Sequence, residues 1–236
     1  MKQWNFFLVI QARSKSNGGD VMKDLIIIGA SGFGRETAWI VERINHVNPT
    51  WNLLGFVDDN ESIWGQTINK YNVIGGCSKI ADYPDAYFVC AVGASKTRKT
   101  IIEKVITITP NIKFATLLDP SVLLSEFVSV GAGSIICAHT IITVNVTIGN
   151  HVIINLDCTI GHDAVLEDYV TLYPSVNISG LTTTGLCTEI GTGSQVIQGK
   201  TIGCHSIVGA GSVVIKDIPD KCTAVGSPAK PIKFFE

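Results

Sequence analysis

Charge is scarce in this sequence. Asp, Glu, Lys and Arg make up 16% of its 236 residues, against about 25% in an ordinary globular chain. Long apolar runs are missing as well. Stretches such as 25–28 and 135–137 end within a few residues, far short of the roughly 18 to 20 that a spanning helix needs. Membrane insertion is therefore not expected, although the mean hydropathy is positive. There is no Lys/Arg cluster, and the formal net charge is -2, so the footprint of a nucleic-acid binder is absent. Disorder is excluded by an apolar fraction of 46%. C-x-x-C pairs are lacking too. The seven cysteines, at 77, 90, 137, 158, 187, 204 and 222, are odd in number and scattered, unlike a secreted disulfide framework. They read as free thiols used as small packing residues, which favours a reducing, cytoplasmic setting. The apolar stretch 6–10 is too short for a signal peptide, and residues 1–21 read as a flexible extension ahead of Met22.

What is present is a repeat. From Leu118 to Val214 a position recurs every six residues, and sixteen of its seventeen members are Leu, Ile or Val, with Thr184 the exception. Four residues after each member comes a second phase of small or β-branched residues, among them Ser134, Thr140, Val152, Cys158 and Ala164. Glycine often follows the aliphatic position, as at Gly149, Gly161, Gly191, Gly203 and Gly209. Neither a 3.6-residue helix nor a period-2 strand sustains a period of six. A β-solenoid does, with a short strand and a corner in each hexapeptide and three hexapeptides in each triangular coil. Residues 117–219 are expected to form this parallel β-helix, with the aliphatic row stacked inside at about 4.8 Å per coil. Its β-branched outer walls would be a patch hazard in a monomer, so side-by-side packing into a homotrimer is expected. A purely structural solenoid is the alternative at this point.

Residues 22–116 read as a small α/β domain. The buried-strand run Asp24–Ile28 leads into G-A-S-G-F-G, Gly29 to Gly34, and then a helical stretch, 35–45. Such a turn brings backbone N–H groups to a phosphate at a helix N-terminus. The order G-x-x-G-x-G is not the dinucleotide fingerprint, and a tight turn without ligand fits equally. A second strand, 51–57, ends in Asp58-Asp59, placed to accept hydrogen bonds from a ribose or base; a solvated turn is the other reading. A third, 87–92, ends at Gly93 before a helix over 95–105 that carries Lys96, Arg98 and Lys99. The domain is too short for a two-halved dinucleotide fold, so a mononucleotide or sugar nucleotide fits better.

Five histidines are candidates for chemistry: His46, His139, His151, His162 and His205. His151 and His205 share a phase but lie three coils apart, about 14 Å, too far to share a metal. His139 and His162 lie on other phases, so no metal is expected. Only His162 has a carboxylate beside it, Asp163, able to orient the ring. Gly180 follows His162 by eighteen residues, one coil along.

The hexapeptides, the G-A-S-G-F-G domain and the tail Gly226-Ser227-Pro228-Ala229-Lys230 together resemble the bacterial sugar O-acyltransferases of the sialic-acid O-acetyltransferase type. That family includes the nucleotide-linked amino-sugar N-acetyltransferases. The likeness spans residues 23–233, and Ile160-Gly161-His162-Asp163 narrows it. The resemblance implies a small Rossmann-like α/β domain, a left-handed parallel β-helix, a C-terminal tail over 220–236 and a cytoplasmic homotrimer with acetyl-CoA bound between prisms. It implies His162 as base with Asp163 beside it, and Gly180 offering its N–H to the thioester carbonyl. Asn155 would line the acceptor side, and Gly199, Ala210, Lys216 and Lys230 would lie along coenzyme A. Gly29, Ser31, Gly32, Phe33, Gly34, Asp58, Asp59, Gly93 and Arg98 would surround the nucleotide. One departure is Phe33, where many relatives have histidine.

The expected activity is acetyl transfer from acetyl-CoA to the amine of a nucleotide-linked 4-amino-deoxy sugar (UDP-, dTDP- or GDP-), without a metal, for a bacterial surface polysaccharide or glycan such as a lipopolysaccharide O-antigen. Sugar O-acetylation is the alternative within the same family. A catalytically silent sugar-nucleotide-binding trimer and a γ-type carbonic anhydrase are the alternatives outside it.

Overall fold

The computed structural model describes residues 21–235; the expected N-terminal extension falls outside them but for its last residue. The chain divides into two compact units, with the division between Pro120 and Ser121, and each is taken in turn. No helix of the described residues is long and apolar enough to cross a membrane.

The first unit is a twisted, mostly parallel sheet flanked by helices. Strand β1 (Lys23–Ile28) is its centre, paired in parallel with β2 (Trp51–Val57) on one side and with β5 (Tyr87–Cys90) on the other. β4 (Tyr71–Gly75) and β6 (Lys113–Phe114) extend the two flanks, and β3 (Thr67–Ile68) closes one edge as a hairpin with β4. Leu25 to Ile28 are almost fully buried, which accounts for a continuous apolar run rather than alternation: a central parallel strand is covered on both faces. Helix α1 (Gly32–Val47) buries Gly34, Thr37, Ala38, Ile40, Val41 and Ile44, a one-faced spacing. It is longer than the 35–45 stretch read from pattern, because the glycine loop itself makes its first turn. Helix α2 runs Ser95–Ile108. The short strands β3, β4 and β6 are not expected from sequence; two residues, or five with a Tyr-Asn start, carry too little periodicity to stand out.

The second unit is a parallel β-helix of two-residue strands. One wall stacks Leu123–Leu124, Ile141–Ile142, Thr159–Ile160, Asn177–Ile178, Gln195–Val196 and Val213–Val214. A second stacks Ser129–Val130, Thr147–Ile148, Val165–Leu166, Thr183–Thr184 and Thr201–Ile202. The third runs from Ile135–Ile136 through Ile153–Ile154, Thr171–Leu172 and Glu189–Ile190 to Ile207–Val208. It continues into Cys222–Val225, which is parallel, and ends on Lys230–Phe234, which is antiparallel. Every member of the aliphatic row from Ile136 to Val214 is buried, Thr184 included, while Leu124 and Val130 in the first coil are half-buried.

Three local devices set the repeat. Every sixth residue from 133 to 211 has a positive φ, and each turns a corner. Glycine fills the corner-facing position because the next coil lies against it: a Cβ at Gly161 would stand 2.5 Å from the Gly180 nitrogen. The polar members of the second phase are also not arbitrary. Ser134, Thr140, Thr188 and Ser194 donate their hydroxyls to the carbonyls of Gly149, Asn155, Gly203 and Gly209, each fifteen residues on. The buried hydroxyl thus satisfies a corner carbonyl of the coil above. The eighteen-residue step ends near Val214: Thr201 N–H reaches Asp217 and Cys204 N–H reaches Asp220, both sixteen residues away.

Candidate functional site

One corner of the β-helix carries His162, with Gly180 one coil along. His162 Nδ1 lies 2.8 Å from Asp163 Oδ2. Asp163 is the corner residue, with φ +58°, so its side chain turns back beside the ring that precedes it. Its other oxygen, Oδ1, accepts from the Asn145 side-chain amide at 3.2 Å, and Asn145 is the corner residue one coil earlier. The bond from His162, and after it the one from Asn145, holds the Asp163 carboxyl below the usual carboxylate range.

With Nδ1 turned to Asp163, Nε2 is the ring's other face to the outside. Gly180 is buried against it: a Cβ there would stand 2.6 Å from Nε2 and 2.7 Å from Cε1. Any other residue at 180 would push the imidazole off the backbone. Among the described residues, the Gly180 N–H has no protein acceptor. The dyad is open to solvent in the single chain, His162 50% and Asp163 42% exposed.

The remaining expected coenzyme residues separate into two groups. Gly199 and Lys216 lie on the His162 corner, Lys216 three coils along, about 14 Å away; both are exposed. Ala210 lies at a different corner, and Asn155 adjoins that same one, where its Oδ1 accepts the Leu156 N–H. Lys230 begins the antiparallel edge strand. The chain alone does not bring Asn155, Ala210 and Lys230 to the His162 corner.

In the small unit, β1 has neighbours on both sides that are reached by opposite crossovers, and the crevice at the carboxyl ends of β1 and β5 is where such sheets bind ligands. Gly29 lies there with φ +100°, and a Cβ would meet Ala91 O and Val92 Cγ2 at 3.3 Å. Ser31 caps α1 without a side-chain bond, which leaves its hydroxyl and the first N–H groups of the helix for an anion. Gly32 is exposed and Phe33 half-buried. Gly34 packs so tightly under the loop that a Cβ would fall 2.1 Å from Gly29 O.

Asp58 and Asp59 are built into the scaffold. Asp58 accepts from the Ala30 and Asn60 N–H groups, each at 2.9 Å. Asp59 accepts from the Cys77 N–H at 2.8 Å and pairs with Lys104 at 2.7 Å. Lys104 first, and then the Cys77 N–H, lowers the Asp59 carboxyl pKa. Arg98 is fully buried and donates to the Val92 and Gly93 carbonyls at 2.7 and 2.9 Å. It braces the loop after β5 and has no exposed surface to offer a ligand, which corrects its expected place among the residues around the nucleotide.

Asn145, Lys104, Cys77 and Trp64 are missed by sequence reasoning. Asn145 was findable, since it precedes Asp163 by the same eighteen residues that link His162 to Gly180; the other three meet Asp58 and Asp59 only through tertiary contacts. Burial pushes the Cys77, Cys90 and Cys158 thiols up to about 12, and none of the seven cysteines is disulfide-bonded. Among the described residues no group of three His, Cys, Asp or Glu could hold a metal ion.

Known proteins share this arrangement. The PglD N-terminal domain family matches residues 24–105. The acetyltransferase domain of PglB from Neisseria gonorrhoeae superposes with a TM-score of 0.79 at 29% identity, over 89% of this chain and all of that one. The perosamine N-acetyltransferase of Caulobacter crescentus, solved with CoA and GDP-perosamine, gives 0.80 at 26% identity, over 90% and 98%. Both are named as acetyltransferases, and the chain is similar to them over about nine-tenths of its length. Among curated relatives, the dTDP-3-amino-3,6-dideoxy-alpha-D-galactopyranose 3-N-acetyltransferase of Aneurinibacillus thermoaerophilus is 50% identical over 42 residues, 18% of this chain and 22% of that one. The chain spans about a quarter of the length of the first curated relatives that it matches, and the shared segment is short. The chain combines the two parts described above, a glycine-looped α/β unit and a β-helix with a His–Asp corner.

Proposed function

We propose that the protein transfers the acetyl group of acetyl-CoA to the amine of a nucleotide-linked amino-deoxy sugar, with His162 as general base. The observation that carries this reading is the His162–Asp163 pair at 2.8 Å with the ring against Gly180. Nδ1–H donated to Asp163 makes Nε2 the proton acceptor. The sugar amine attacks the thioester carbon as Nε2 takes its proton; the C–N bond forms, the C–S bond breaks, and the proton passes on to the departing thiolate. A positioned base of this kind is worth about 10²–10⁴-fold. Oxyanion stabilisation falls to the Gly180 N–H, whose lack of a protein acceptor supports the role.

The small unit holds the nucleotide, its diphosphate at Gly29–Gly34. A homotrimer completes the coenzyme groove: Asn155, Ala210 and Lys230 of one chain meet the His162 corner of the next, which accounts for a dyad half-open to water in the single chain. A similar protein solved with CoA and GDP-perosamine supports the two ligand classes. The test is a screen of UDP-, dTDP- and GDP-linked 4-amino sugars with acetyl-CoA, read by thiol release, for the natural chain and His162→Asn. Turnover with one amino sugar and a loss of at least about 100-fold in the variant is the expected outcome. Undiminished turnover in His162→Asn would refute the mechanism, and transfer only to hydroxyl acceptors would refute the substrate.

A further inference from the structure

The carboxyl edge of the small sheet carries one large aromatic side chain that the assignments above leave unused. Trp64 follows a single 3₁₀ turn, Glu61–Ile63, which Asn60 caps by accepting the Ser62 N–H. Its indole N–H donates to the Asp58 carbonyl at 2.7 Å. Its benzo ring lies against Gly76, just beyond β4, where a Cβ would stand 3.0 Å from Trp64 Cζ2. The ring is therefore held at its nitrogen and along one edge, yet the residue is 44% exposed. An aromatic ring normally lowers its free energy by burying its area, and one that is fixed but uncovered is preorganised for a flat partner.

Asp58 says where that partner comes from. The residue that takes the indole N–H on its carbonyl also takes the Ala30 N–H of the glycine loop on Oδ2, at 2.9 Å. One residue thus joins the phosphate-facing loop to the indole. The carboxylates next to the ring are already engaged, Asp58 with the Ala30 and Asn60 N–H groups and Asp59 with Cys77 N–H and Lys104. They form the floor of the subsite, and the 44% exposed indole is its open wall.

We infer that Trp64 is the stacking platform for the nucleobase of the sugar nucleotide. The inference rests on the reading of the small unit as the nucleotide site and adds the residue that supplies base affinity there. Stacking is tolerant of base identity because every base has a π-face, so Trp64 sets the strength of nucleotide binding rather than the choice among bases.

The test is calorimetric titration of the full chain with UDP, dTDP and GDP, and with inorganic pyrophosphate as a base-free probe, alongside Trp64→Ala and Trp64→Phe. The nucleotide that the natural chain binds should lose roughly tenfold to a hundredfold in affinity in Trp64→Ala. Trp64→Phe should stay within a few-fold, and pyrophosphate binding should not change in either variant. If Trp64→Ala does not fold, Trp64→Phe still decides: quenching of indole fluorescence by the nucleotide should be present in the natural chain and lost in this variant. An unchanged nucleotide affinity in Trp64→Ala, an unchanged quench in Trp64→Phe, or an equal loss for pyrophosphate overturns the platform and leaves the small-unit reading standing. A natural chain that binds none of the nucleotides overturns both.

Discussion

Asn145 and Asp163 show how much a single side chain can contribute to a site without touching a ligand. Asp163 has two side-chain donors, His162 and Asn145, and both favour its ionised form. A carboxyl whose folded pKa lies below its unfolded value, about 3.9, stabilises the folded state above that value; the contribution disappears as the pH falls through the lower, folded pKa. The His162–Asp163 contact is thus intact at neutral pH and fails only in acid. Removing Asn145 takes away the second-largest cause. In Asn145→Ala the Asp163 carboxyl should therefore titrate at a higher pH than in the natural chain, as followed by carboxyl-carbon NMR, with the fold unchanged; an unmoved titration would mean that the 3.2 Å bond does not persist in solution. At this scale the sequence was informative wherever arithmetic on eighteen applied. It places Gly180 one coil from His162 and would have placed Asn145 one coil before Asp163, while the roles of His162, Asp163 and Gly180 came from the resemblance. Arg98 did not, because a basic residue in the first turn of a helix after a glycine looks like a ligand contact until its burial is known.

The aliphatic row is the element that the sequence displays most openly, and Thr184 is its one flaw. Every other position from Ile136 to Val214 supplies only hydrocarbon to the prism. Thr184 places a hydroxyl there, fully buried and with no hydrogen-bond partner. An unpaired buried hydroxyl costs about 1–3 kcal/mol, and valine has nearly the same shape. Thr184→Val should raise stability by about 1 kcal/mol, measured as a higher denaturation midpoint at constant slope; a lower midpoint would show that the hydroxyl finds a partner. The row was legible because a core one residue wide must repeat its chemistry at every coil. The hydroxyl-to-carbonyl bonds fifteen residues apart were not: a serine on a hexapeptide reads as a small residue until the carbonyl above it is located. The short strands of the small unit were opaque for the opposite reason, being too brief for any period to emerge.

For the whole molecule, charge distribution and corner geometry point the same way. Residues 118–219 hold two basic residues, Lys200 and Lys216, against eight acidic ones, and exposed Leu123, Phe127, Ile141, Val144 and Leu181 dot the β-helix surface. Under the proposed trimer, each coenzyme groove combines the His162 corner of one chain with the Ala210 corner of another. Two defects on opposite sides of the groove should then complement. His162→Asn and Ala210→Trp should each be nearly inactive alone, whereas their co-expression should restore part of the activity in mixed trimers. Separately purified and mixed without exchange, they should not. Activity that never returns on co-expression would place both residues in a groove formed by one chain.

The way the third wall ends has a consequence for how such a molecule avoids polymerising. A stack of parallel coils exposes, at its last turn, a row of unpaired backbone groups that could template another coil without limit. Here the final strand, Lys230–Phe234, runs against the direction of all those beneath it. It carries Pro231, which has no N–H to donate, and two lysines that repel a second copy. A protein that folds by adding like to like has thereby made the last strand of this wall unlike the rest, and the wall offers no matching edge for another coil.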